Sequence, residues 1–134
     1  MSNLGPLTLE HPLEIDDARR AGHRMSQLRQ QAEKDYTAAL IDKAETEATY
    51  RKALSEAFVR LRDAGVAGGA AEIQAKGDVV QSSKERDIAE GMAKAAEQRL
   101  KSLAEDRATL HRLVEWSMRV QLASEQQQPT WSAA

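Results

Sequence analysis

The chain has 134 residues, a net charge of −2 and no cysteine, which excludes disulfides, thiolate metal sites and a cysteine nucleophile. Of its apolar residues 23 are alanine, leaving 32 larger ones, among them two Trp and one Phe. So thin a supply suits a narrow helical seam better than a globular core, and 30% charged residues complete the composition of long helices and coiled coils.

Residues 1–12 form a lead-in, and residues 1–17 together carry four acids and no base. The segment MSNLGPLTLEHPLEIDD lacks the basic start and apolar stretch of a secretory signal. No apolar run approaches the ~20 residues that span a bilayer, so a soluble, cytoplasmic protein is expected. Pro12 suits a helix start, because a first-turn proline gives up only an N–H that had no partner.

A first helix is expected over residues 13–63. Met25, Leu28, Tyr36, Leu40, Tyr50, Leu54, Phe58 and Leu61 recur at helical spacing along it. Fifty-one residues make a rod of roughly 75 Å. Four of the seven glycines then crowd into residues 65–77. Gly65, Gly68 and Gly69 are expected to supply the positive φ angles that reverse the chain. AAEIQAK (70–76) reads as one or two helical turns, and Asp78 as the cap of the next rod. No phosphate-loop or dinucleotide fingerprint is present.

A second long helix is expected over 79–124, with Ile88, Met92, Ala96, Leu100, Leu103, Leu110, Val114, Met118 and Leu122 in steps of three, four or seven. Arg107 interrupts where Leu would be expected. At about 69 Å it matches the first rod. The fold class is therefore all-α, a long antiparallel hairpin over 13–124. Neither rod buries its stripe alone, so the hairpins are expected to self-associate, with Tyr36, Leu40, Tyr50, Leu54, Phe58, Leu61, Ile88, Met92, Leu100, Leu103, Leu110 and Val114 as the core or oligomer seam. The polar tail, 125–134, falls outside the pattern; its Trp131 is either an anchor for a partner or part of a free terminus.

His11, His23 and His111 are far apart and show no metal-ligand spacing, and no nucleophile–base arrangement exists. No cofactor, metal or catalysis is expected. Glu14, Asp16 and Asp17 read as solvated acids at a helix start. Residues 18–62 carry ten basic against six acidic side chains. One basic set is Arg19, Arg20, Arg24 and Arg29; another is Arg51, Lys52, Arg60 and Arg62 near the turn. On the second helix Lys94, Lys101, Arg112 and Arg119 align, although Glu105 intrudes. Each set is either a phosphate-binding patch or a mixed-charge solvated face, and the set near the turn would become a continuous track by repetition in a ring of hairpins. Trp116 reads as packing, and no clustered aromatics offer a base-stacking platform.

The run EATYRKALSEAFVRLRDAG (47–65), the glycine-containing break and L-x-x-L-V-E-W (110–116) resemble the UvsY recombination mediators of tailed phages over roughly residues 30–122. The resemblance implies an oligomeric ring that binds single-stranded DNA without cofactor or catalysis, and helps a RecA-like recombinase displace the single-strand-binding protein. The family's A-L-K-A-R type motif reads A-L-S-E-A here (Ala53 to Ala57), with Ser55 and Ala57 at the basic positions. Arg51, Lys52, Arg60 and Arg62, which flank that gap, with Lys94 and Lys101, are then the DNA-binding candidates. The alternative is a coiled-coil adaptor or assembly protein with no nucleic-acid role.

Overall fold

The computed structural model describes residues 14–126. The readings of Pro12 as a helix start and of Trp131 as an anchor concern residues outside that range. The described residues form three helices and no strand: α1 (Ile15–Asp63), α2 (Gly68–Asp78) and α3 (Val80–Gln126). The chain is all-α.

Helix α1 opens with the Ala18 N–H donating to the Glu14 carbonyl at 2.9 Å. Asp16 and Asp17 stand in its first turn and Arg60 and Arg62 in its last, each sign placed against the opposite end of the helix dipole. At the end of α1 the Val66 N–H reaches the Leu61 carbonyl and the Gly65 N–H the Arg62 carbonyl, both at 3.0 Å. These two bonds, with Gly65 at φ +89°, make a Schellman motif. The Arg62 guanidinium adds a third tie, donating to the Val66 carbonyl at 3.1 Å.

The remaining glycines of the turn correct the sequence expectation. Among the described residues only Gly65 has positive φ; Gly68 and Gly69 are the first residues of α2. One left-handed residue followed by an extended Ala67 (φ −61°, ψ 147°) already redirects the chain, so no further unusual angle is required. The short helix is also longer than expected, at 11 residues. Asp78 is its last residue and not the cap of the next helix. Val79 alone separates α2 from α3. Its N–H donates to the Ala75 carbonyl at 3.2 Å and its carbonyl accepts from Ser83 at 3.0 Å, so the helical ladder needs no side-chain cap there.

The described residues pack as two compact units. In the unit of Ala32–Arg99, the core cluster is Ala57, Ala75 and Val79, with Tyr50, Ala53, Leu54 and Leu61 against it. From Val79 into α3 this unit covers, wholly or in part, Val79, Ser82, Arg86, Ala89, Ala93 and Ala96, with Ser83 and Glu90 half-buried beside them. From Val79 to Ala96 that line steps 3, 4, 3, 4, 3, the seam of a heptad repeat. Ile88 and Met92, each one residue before a buried alanine, are 63% and 62% exposed. Stepping by fours from Ile88 rotates steadily round the helix, whereas the packed seam alternates threes and fours and selects the alanines. In the same unit Tyr36 is half-buried, and Leu40 and Phe58 lie largely open at 41% and 36%.

The other unit comprises 14–31 and 100–126. Its α3 seam keeps the same stepping through Leu100, Leu103, Leu110, Val114 and Ser117, with Arg107 exposed at the interrupted place. Leu113 is buried beside that seam. On α1 the covered residues are Ala18, Ala21, Met25 and Leu28. Trp116 is half-buried, while Ile15, Met118 and Leu122 are exposed.

Candidate nucleic-acid interface

The turn places four candidate basic residues within the last four turns of α1 but spreads them round its circumference. At about 100° per residue, Arg51 and Arg62 share one flank, Lys52 lies about a quarter turn away, and Arg60 stands nearly opposite Arg51. All four are exposed. Two are engaged locally. The Arg51 Nε donates to the Glu47 carboxylate at 2.9 Å, and Arg62 holds the turn carbonyl described above. Exposed i,i+4 pairs of the Arg51 kind contribute only a few tenths of a kcal/mol and exchange readily for another anion. Arg51 thus keeps an exposed, weakly held guanidinium, whereas Arg62 ties the turn.

Leu54, Ser55, Phe58 and Ala75 line a shallow groove of about 370 Å³ between α1 and α2, with Arg51 and Lys76 at its rim. Lys76 pairs with Glu72 at 3.5 Å. Among the described residues the unit holding this groove has thirteen acids against eleven bases, so the turn set sits on a mildly acidic background. Lys94 belongs to that unit and Lys101 to the other. Both are exposed. In the early set Arg20 is tied to Asp17 at 2.9 Å.

Arg86, which sequence reading did not single out, is the most engaged base. Its guanidinium stands 4.1 Å above the Tyr50 ring, 3.3 Å from the Asp87 carboxylate and 3.8 Å from the other oxygen of Glu47. Burial pulls its pKa down, but the hydrogen bond and charge of Asp87, with Tyr50 and Glu47, outweigh this, and the net shift is upward. Glu47 therefore bridges Arg51 and Arg86, linking α1 to α3 within one unit. The signal available in the sequence was position: Arg86 lies seven residues after Val79, on the seam itself.

Among the described residues no group of three or more His, Asp or Glu side chains is placed to hold a metal ion. His111 pairs with Glu115 at 3.2 Å, and among the described residues no buried side-chain polar atom lacks a partner. No described helix is long and apolar enough to cross a membrane. No family model, curated protein or solved structure matches the chain.

Proposed function

We propose that this protein is a recombination mediator: an antiparallel helical hairpin that assembles into a homo-oligomer, binds single-stranded DNA, and helps a RecA-like recombinase displace the single-strand-binding protein. The observation that carries the reading is the UvsY-like stretch of residues 47–65, followed by a glycine turn and a second long helix. Two further features support it. Arg51, Lys52 and Lys94 present cations to solvent, and exposed Leu40, Ile41, Ile88 and Met92 are apolar surface for sister copies to cover. With no aromatic platform, binding depends on charge and is steeply salt-sensitive. The site of action is the cytoplasm, where the recombinase works.

The test is fluorescence anisotropy with a labelled oligo-dT at low and moderate salt. Binding at low salt that weakens as salt rises, and weakens further when Arg51, Lys52, Arg60 and Arg62 are all changed to Ala, is the expected outcome. No binding at low salt overturns the reading.

A coiled-coil adaptor without a nucleic-acid role is the second reading. It is favoured by the local pairing of Arg51 with Glu47 and Arg62 with the Val66 carbonyl, which gives those bases work within the chain. It predicts capture of a protein partner that nuclease treatment leaves intact.

A further inference from the structure

The interrupted seam position, Arg107, opens onto a second basic site. In the unit of 14–31 and 100–126, a cleft of about 510 Å³ lies between α1 and α3. Arg29, Arg107 and His111 line it together with the Ser26 hydroxyl, and no carboxylate does. Met25 and Leu110, both buried, contribute an apolar wall. Between Leu103 and Leu110 the seam lacks an apolar knob at position 107. Gly22 presents no side chain, and a Cβ built on it would meet nothing within 4 Å. Arg107 occupies the place, seven residues after Leu100 and seven before Val114, where a leucine would fill the gap.

Arg29 keeps an interaction within the chain, but Arg107 has no ion-pair or hydrogen-bond partner among the described residues. His111 reaches the cleft while touching Glu115 at 3.2 Å. An arginine fork without a partner among the described residues, set beside a second arginine and a serine, has the donors to pair with the two non-bridging oxygens of a phosphodiester. A leucine at 107 would bury apolar surface; the arginine forgoes that gain and supplies two-pronged donors.

We infer that this cleft takes a phosphate group of a single-stranded nucleic acid, making Arg107 and Arg29 a strand contact separate from the turn cluster. The inference rests on the single-strand-binding reading above.

The experiment is the oligo-dT anisotropy titration across a salt series, with full-length Arg107→Leu and Arg29→Ala/Arg107→Ala proteins beside the wild type. Arg107→Leu is expected to keep its helix content and its melting temperature, or raise the latter. Its affinity should fall about tenfold, with the slope of log K against log salt shallower by about 0.7 for the lost charge. The double variant should fall further, by about twice that slope change. Unchanged helix content and melting temperature in Arg107→Leu separate a loss of binding from a loss of folding. Wild-type binding with both variants unchanged overturns the cleft and leaves the proposed function standing; no wild-type binding overturns that function and the strand contact with it. In a companion NMR titration the His111 ring signals should move with oligo-dT and not with inorganic phosphate at matched ionic strength. Movement with inorganic phosphate alone marks a free-anion site and overturns the strand contact.

Discussion

Gly65 closes the end of helix α1. Its φ of +89° is a conformation that a side chain resists by roughly 1–2 kcal/mol, so Gly65→Ala should lower stability by about that amount. Gly69 is different, since it lies inside α2 with nothing within 4 Å of a built Cβ. Gly69→Ala should raise stability by about 0.4–1 kcal/mol by restricting the unfolded chain. Urea unfolding at one fixed protein concentration distinguishes the two. The clustering of glycines was plain in the sequence, but which of them needed positive φ was not. That depends on where helix α1 releases its last carbonyls, and the 66-to-61 and 65-to-62 bonds choose Gly65 alone.

At the scale of the helix, the seam of α3 is built from small residues in its first half and from leucines in its second. Buried alanine methyls contribute only about 0.8 kcal/mol each, so the Ala32–Arg99 unit depends on close fit more than on apolar mass. Ala57 is 1% exposed against Ala75 at 0%. Ala57→Leu should therefore overpack that junction and destabilise by about 1–3 kcal/mol, read as a drop in the urea midpoint with an unchanged slope. The helical character of these segments was legible from spacing and from the scarcity of breakers. The phase of the seam was legible only where large residues mark it, at Leu100, Leu103, Leu110 and Val114. Upstream, Ile88 and Met92 outweigh their alanine neighbours on any hydrophobicity scale, yet Ala89 and Ala93 are the packed residues. A hydrophobic residue shows that burial would be favourable. It does not show which residue the partner helix can approach.

For the molecule as a whole, exposed Ile88 and Met92 become a test of assembly. A fully covered side chain of this size is stabilised by about 1.5–3 kcal/mol, a gain the single chain leaves largely unused. If sister copies cover these residues, sedimentation equilibrium should give a multiple of the 14.8 kDa chain mass. Ile88→Glu/Met92→Glu should then shift the protein toward the single-chain mass while helix content remains. A wild-type protein at the single-chain mass would remove the oligomer from the proposed function. The basic residues follow the same division between pattern and placement. Arg51, Lys52, Arg60 and Arg62 were conspicuous as a cluster in the sequence, but helical geometry distributes them round α1. Arg107 was conspicuous only as a flaw in a repeat, and it lines a cleft together with Arg29 and Ser26.

Composition and periodicity by themselves determined an all-helical chain. Alanine abundance, absent strand signals and confined glycines leave a polypeptide little else to form, because helix propensity and breaker placement are local properties. Only the tertiary structure decided that alanines and not Ile88 or Met92 fill the early α3 seam, that Arg86 sits over Tyr50, and that Arg29 and Arg107 share a cleft. Those outcomes depend on which side chains from distant parts of the chain meet, and on how much room each leaves for the other.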